Sequence, residues 1–317
     1  MSQIMLSIYI ATYNHEKYIE QALNSVFMQK TNYSYEVIVG EDCSTDNTRK
    51  VLKQYEQGHF DLVQNRTLKI LYRDHNMYGE NPNNIMDLIK RCSGKYIIAL
   101  EGDDFWIDNN KIQTQIDFLE KNPEYIAVAH DCIVVDRASS PINEIYPTCR
   151  DDEYTLKHFM SNQFPGQTTT VLYRNIYKMD EVNTDILFKG LMPGDKLRNY
   201  VLMMNGKIKC MPEKMSAYRH ITDGGDSWST RYYYKFDVEY DFCQGLLNYS
   251  TEENKKDYIF ASEALMFRCL AKALHFRTIR FLEFLRYFLV VNNKWFVIVK
   301  WIKYKVDKDL LNKKIWY

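Results

Sequence analysis

Several things this 317-residue sequence lacks narrow its chemistry. No GxGxxG follows the first apolar run, which argues against a dinucleotide-dependent dehydrogenase, and no GxxxxGK[ST] occurs, which excludes a P-loop. The seven cysteines, at positions 43, 92, 132, 149, 210, 243 and 269, never fall in a CxxC spacing. An odd, scattered set argues against a disulfide framework or a zinc site and suits a reducing cytoplasm. The opening MSQIMLSIYIA has no basic n-region and meets polar ATYNHEKY at once, so a first strand is expected there rather than a signal peptide. No uncharged apolar run reaches the roughly 18 residues of a membrane-spanning helix.

Net charge is missing too, with 41 Lys and Arg against 41 Asp and Glu, but the balance conceals an asymmetry. Residues 258–317 hold 12 basic against 4 acidic side chains, which leaves 29 against 37 for residues 1–257. What is plentiful is core material: 46% hydrophobic residues and 15% aromatics suffice for one large or two modest domains.

Residues 96–106, YIIALEGDDFW, organise the rest. Tyr96, Ile97, Ile98, Ala99 and Leu100 suit a strand buried on both faces. The run ends abruptly in Glu101, Asp103 and Asp104, with Gly102 expected to give the backbone freedom to turn. Three carboxylates this close repel one another, so a cation would hold them together; hard oxygen ligands suit Mg²⁺ or Mn²⁺, with room left for substrate phosphates. A solvated loop ahead of a helix would carry the same acids.

The chain before this motif alternates strand and helix. Residues 6–11 (LSIYIA) form an apolar, β-branched run, followed by the polar turn Thr12, Tyr13, Asn14 and His15 and then helical spacing at Ile19, Ala22 and Val26. A second strand, 35–39, ends in Gly40, Glu41 and Asp42; Ser44, Thr45 and Asp46 then cap a helix carrying Val51, Leu52 and Tyr55. A third strand, 68–72, precedes Arg73, Asp74, His75 and Asn76, and a helix over 85–89 leads into the acidic strand. This β-α-β-α-β-α-β order predicts a mostly parallel sheet with right-handed crossovers, and ligands of such sheets bind outside the carboxyl ends of the strands.

Beyond Trp106, a helix over 111–122 is stopped by Pro123, and 126–135 is a further strand. Residues 136–154 are polar and Pro-containing, hence a loop. In FPGQTTTVLYR (164–174) a turn precedes a strand, and Thr168, Thr169 and Thr170 could offer hydroxyls to a ligand or simply reflect β-propensity. Met192, Pro193, Gly194 and Asp195 open a helix closed by Gly206. Asp195 in its first turn complements the helix dipole, worth about 0.3–1 kcal/mol, and could also serve as a general base. A short strand covers 207–211, and Tyr218, Arg219 and His220 precede a loop that Gly224 and Gly225 make mobile.

Five stretches, SIYIATYNHEKYIEQALNSVFMQ, YEVIVGEDCSTDNT, SGKYIIALEGDDFW, GDKL and YRHITDGGDSW, stand in the order found in family 2 inverting glycosyltransferases, which the first 230 residues resemble. The resemblance implies a GT-A fold, the Rossmann-like α/β architecture of nucleotide-diphospho-sugar transferases, over 1–230, with a C-terminal helical extension over 231–317. It implies that Thr12, Tyr13 and Asn14 border the nucleotide, that Asp42 bonds the base, and that Arg73 and Asn76 lie near base and ribose. Glu101, Gly102 and Asp103 match the DxD motif, Asp103 being the direct ligand of Mn²⁺ or Mg²⁺. Asp195 falls at the catalytic base, and Arg219 and His220 match a flexible loop that places groups against the diphosphate or metal. Two departures stand out: Glu101 replaces the commoner Asp, and Gly194 precedes Asp195 where many relatives carry an acid.

The implied activity is metal-dependent, inverting transfer from a nucleotide sugar, a UDP-sugar above all, to a glycan or lipid-linked acceptor of bacterial surface polysaccharide. A non-catalytic nucleotide-sugar-binding or scaffolding subunit is the alternative, although such a binder needs no base. A nucleotidyltransferase would want a Gly-rich basic first loop, which ATYNHEKY is not. In the basic tail, Phe281, Phe288, Trp295 and Trp301 interleave with Arg280, Arg286, Lys294 and Lys300, which suits an interfacial helix on the inner face of the cell membrane or a packing surface for a second copy. The acidic body argues against nucleic acid.

Overall fold

The computed structural model describes residues 4–58, 65–221 and 235–275. The loop around Gly224 and Gly225 and the basic aromatic stretch 281–305 lie outside the described residues. The described residues form two compact units, one of residues 4–58, 65–155, 163–184 and 205–221, the other of residues 156–162, 185–204 and 235–275.

The first unit is an α/β sheet. Its strands β1 (Leu6–Thr12), β2 (Tyr35–Glu41), β3 (Arg66–Tyr72) and β4 (Tyr96–Glu101) are joined by helices α1 (Ile19–Phe27), α2 (Thr48–Gly58) and α3 (Asn84–Arg91). They lie parallel in the order β3-β2-β1-β4. β1, β2 and β4 are apolar runs because both faces are covered, whereas β3, at the edge of the sheet, alternates Leu68 and Ile70 with the exposed Thr67 and Lys69. Ile8, Ile10, Val37, Val39, Ile98 and Leu100 share one core with Leu23 and Val26 of α1 and with Ile116 and Leu119 of α4 (Lys111–Lys121). Each such side chain contributes about 1.5–3 kcal/mol by leaving water.

The register fixes where the strands stop: Thr12 pairs with Glu41, Glu41 with Tyr72, and Ala11 with Glu101. The four carboxyl ends are therefore level, and the polar turns after them share one edge.

The other half of the sheet is mixed. It is built from β5 (Phe105–Trp106), β6 (Tyr125–Val135), β7 (Glu153–Tyr154), β8 (Leu172–Arg174) and β9 (Lys207–Arg219). β8 runs antiparallel between β4 and β6, and β9 runs parallel to β6. The strand expected to end at Met211 continues to Arg219, because the register jumps from Met211 opposite His130 to Lys214 opposite Asp131. Pro212, which has no N–H to give, sits in that irregularity and not in the ladder.

In the second unit, helix α6 (Gly194–Asn205) is held to the helices Phe236–Glu252 and Lys256–His275 by one buried hydroxyl. Tyr200 Oη lies 2.6 Å from Ser250 Oγ and 2.8 Å from Ser262 Oγ, all three residues being buried. Tyr258 Oη donates to the Met203 carbonyl at 2.7 Å. These bonds satisfy polar groups that would be costly inside an apolar packing. No helix among the described residues is long and apolar enough to cross a membrane.

Candidate functional site

Three turns meet at the carboxyl edge of β1, β2 and β4, and their backbones are stapled by side chains. After β1, Asn14 adopts φ 58°, a left-handed conformation that Asn tolerates better than most residues. Its N–H donates to Ser44 Oγ at 3.0 Å, and its Oδ1 accepts the Thr45 N–H at 2.9 Å. The His15 N–H donates to Thr48 Oγ1 at 2.8 Å. The residues leading into α2 thus hold the first turn, while Asp46 Oδ1 accepts the Thr48 N–H at 2.9 Å at the start of the helix. Thr12 is buried, its Oγ1 3.3 Å from His15 Nδ1, and Tyr13 is half-buried in the same turn.

Asp42, after β2, organises the turn after β3. Its backbone N–H donates to the Thr12 carbonyl at 3.0 Å, and its Oδ1 accepts the Met77 N–H at 2.9 Å. Asn76 Nδ2 donates to the Asp42 carbonyl at 3.1 Å. Burial raises the Asp42 carboxyl above its ordinary value, and the Met77 N–H and the charge of Arg73 pull it partly back. Arg73 points its guanidinium at α3, bonding Asn84 Oδ1 at 3.1 Å through Nε and pairing with Asp87. Its visible work is to fix the end of β3.

The acidic motif divides into residues that face outward and one that does not. Glu101 is exposed and Asp103 half-buried, with Asp103 Oδ2 3.9 Å from His15 Nε2. Asp104 is 1% exposed and both its oxygens are engaged: Oδ1 accepts the Arg219 N–H at 2.8 Å and Oδ2 accepts Gln167 Nε2 at 2.9 Å. Burial pushes the Asp104 carboxyl well above the usual range, the charges of Asp103 and Glu101 add to this, and Arg219 offsets part of it. Asp104 therefore braces the motif.

Gly102 has a role other than the expected turning freedom. The positive-φ glycines of the described residues are Gly79 and Gly190. A Cβ on Gly102 would instead meet His15 Nδ1 at 2.6 Å and Thr12 Oγ1 at 2.7 Å. The missing side chain lets the acidic strand end lie against the first turn.

Arg219 also differs from expectation. It is the last residue of β9, 1% exposed, and its five N–H donors have five acceptors. Nε donates to the Asp103 carbonyl at 2.8 Å, Nη1 to the carbonyls of Asp136 at 2.8 Å and Arg137 at 3.1 Å, and Nη2 to Gln21 Oε1 at 3.0 Å and Ser139 Oγ at 3.1 Å. The Tyr18 ring lies 4.2 Å from the guanidinium carbon. A cation saturated in this way is a strut for the 101–104 turn and has no donor left for a diphosphate.

His220 follows on the same edge, its Nδ1 2.6 Å from Glu144 Oε2 and its ring stacked on Tyr218. Among the described residues no three His, Cys, Asp or Glu side chains form a metal-sized group, so Glu101, Asp103 and His220 do not make a closed ligand set. Two outward carboxylates do fit a hard divalent cation that takes the rest of its oxygen shell from phosphates and water. Thr169 and Thr170 are corrected as well: both are buried in the 3-10 turn Thr168–Thr170, their hydroxyls donating to Gln167 Oε1 and to the Gln167 carbonyl, each at 2.7 Å.

Asp195 belongs to the second unit, at the start of α6, where its Oδ1 accepts the Lys196 N–H at 2.8 Å. Burial lowers the Lys196 ammonium to about 8, with the Asp195 charge opposing. Sequence reasoning gave no role to Gln21 and Gln167 and placed His15 only in the polar turn after β1, because what each side chain bonds lies far away in sequence.

The sequence profile described as glycosyl transferase family 2 matches residues 7–177, more than half the chain. An uncharacterized protein of Mycobacterium tuberculosis is 28% identical over 235 residues, which cover 71% of this chain and 64% of that relative. The chain thus spans less than two thirds of the length of that relative. The poly(ribitol-phosphate) beta-N-acetylglucosaminyltransferase TarS of Staphylococcus aureus is 29% identical over 118 residues, 37% of this chain and 19% of TarS. The structure of TarS residues 1-349 in complex with UDP-GlcNAc matches with a TM-score of 0.61 at 19% identity, over 92% of this chain and 77% of that one. That likeness is one of fold.

Proposed function

Because the chain belongs to glycosyl transferase family 2, we propose that it transfers a sugar, with inversion, from a UDP-sugar to a hydroxyl of a glycan or lipid-linked acceptor in bacterial surface polysaccharide synthesis. The observation that carries this reading is the level edge of β2, β1 and β4, which sets Asp42 and the Glu101–Asp103 pair on either side of the turn after β1. That spacing suits a ligand with a base at one end and a diphosphate at the other. TarS, of like fold, has been solved with UDP-GlcNAc, which supports the choice of donor.

In this reading Thr12, Tyr13 and Asn14 border the nucleoside, Asp42 accepts the N3–H of uracil, and Arg73 and Asn76 fix the turn that closes on base and ribose. Glu101 and Asp103 hold Mn²⁺ or Mg²⁺, with His220 beside the phosphates. When bound, the cation offsets the charge gathering on the departing diphosphate. Asp195 takes the proton of the acceptor hydroxyl as that oxygen bonds to the anomeric carbon and the carbon–diphosphate bond breaks, one displacement from the opposite face. The reaction takes place at the cytoplasmic face of the cell membrane, residues 258–317 meeting the bilayer surface or a second copy.

The Asp195→Asn variant tests the assignment of the base. It is expected to bind UDP as the wild type does and to lose about 10²- to 10⁴-fold in turnover of donor and acceptor. Undiminished turnover would remove Asp195 from the mechanism.

A further inference from the structure

Gln167 is 2% exposed and caps the 3-10 turn that precedes β8. Its Oε1 accepts two hydrogen bonds, from the Thr169 N–H and from Thr169 Oγ1, both at 2.7 Å. Those two donors decide the orientation of the amide, since a flipped side chain would set N–H against N–H. The Nε2 group must then face the acidic motif. It donates to Glu101 Oε2 at 3.0 Å and to Asp104 Oδ2 at 2.9 Å.

The turn under it is itself anchored. The Thr170 N–H donates to the Gln167 carbonyl at 2.9 Å, and Gln115 Nε2 donates to the carbonyls of Thr170 at 2.9 Å and Val128 at 3.1 Å. One amide, held by the sheet, therefore spans two acids of the motif. It ties the exposed, three-rotor side chain of Glu101 to the buried carboxyl of Asp104, which the backbone of β9 holds through Arg219.

We infer that Gln167 is a positioning residue of the donor site: it holds Glu101 in the orientation that receives a divalent cation, and so sets the cation affinity without touching cation or nucleoside. The inference rests on the reading of Glu101 and Asp103 as cation ligands. It also gives a reason for the contact with Glu101: the long arm of a glutamate needs a tether to be preorganised. A glutamate already ordered loses less rotamer freedom on binding.

The test is calorimetric titration of Mn²⁺ into the full chain saturated with UDP, for the wild type, Asp103→Asn, Gln167→Met, Glu101→Ala and the double variant Gln167→Met/Glu101→Ala. Gln167→Met keeps the shape and removes both donors. Its Mn²⁺ dissociation constant is expected to rise about tenfold, while UDP binding in EDTA stays unchanged. In the Glu101→Ala background the same change is expected to add nothing, because the effect passes through Glu101. An additive effect, or none on Mn²⁺ binding in the presence of Glu101, overturns the inference. If Gln167→Met does not fold, Thr169→Val carries the test. It strips one of the two donors that fix the amide and is expected to weaken Mn²⁺ binding about two- to threefold; no change overturns the inference. Wild-type UDP binding that ignores Mn²⁺ overturns the cation site itself, whereas loss of the Mn²⁺ effect in Asp103→Asn with none in Gln167→Met overturns only the role of Gln167.

Discussion

The two flanks of the acidic motif are built by different means. On the β1–β3 flank, every strand ends in its own polar turn, and the turns are cross-stapled over 30 to 35 residues of sequence by Asn14, His15 and Asp42. On the β8–β9 flank, Gln167 and Arg219 reach the motif from 63 to 116 residues away. The first flank offers polar side chains at a level edge. The second spends its polar side chains bracing Asp104 and the 101–104 backbone. A repeated strand–turn–helix unit turns a local signal into a shared site, whereas bracing needs only a few side chains at the right distance and leaves no pattern.

The largest effect should separate the two flanks most clearly. Arg219→Lys keeps the charge but cannot replace five donors, leaving carbonyls of Asp103, Asp136 and Arg137 and the side chains of Gln21 and Ser139 short of partners around a buried cation. The expected loss is about 3 kcal/mol or more of folding stability, read as a denaturant midpoint shift. Full stability with donor binding lost would instead make Arg219 a ligand contact. Gly102→Ala comes next, since the added Cβ presses on His15 and Thr12. A destabilisation of about 1–3 kcal/mol is expected; a neutral outcome would mean that the motif and the turn after β1 are not in tight contact there.

The smallest effect falls on the ligand-facing flank. Asp42→Asn retains an acceptor for the Met77 N–H, so stability should hold while UDP binding weakens about tenfold. In the wild type, burial holds the Asp42 carboxyl above its ordinary value. The carboxylate acceptor is therefore lost as pH falls, beginning at a higher pH than for an ordinary aspartate, and UDP binding should fade in step. Binding that is flat through that acid range would release Asp42 from the base.

The same contrast explains what was legible in the sequence. β1, β2 and β4 are largely apolar runs of six or seven residues and β3 alternates apolar with polar side chains, and the parallel order and the edge carrying Thr12, Asp42 and Glu101 followed from their alternation with helices. β5, β7 and β8 are two or three residues long, too short for any period to show. The strand expected to stop at Met211 continues past Pro212, because a bulge in the ladder to β6 takes up the irregularity. The family resemblance placed Arg219 and His220 in a flexible loop, yet the register of β9 against β6 carries the sheet as far as Arg219. Three adjacent threonines suggested ligand hydroxyls, and two of them turned out to fix one glutamine.

The central claim is that Glu101 and Asp103 form a cation-assisted diphosphate site beside a uracil-binding Asp42. Its most direct measurement is calorimetric titration of the full chain with UDP, GDP and CDP, each with Mn²⁺ and with EDTA, repeated on Asp103→Asn. The account predicts that UDP binds more tightly than GDP or CDP, that Mn²⁺ strengthens its binding, and that Asp103→Asn removes the Mn²⁺ effect. UDP binding equally tight in EDTA, or Mn²⁺ dependence that survives Asp103→Asn, would contradict it.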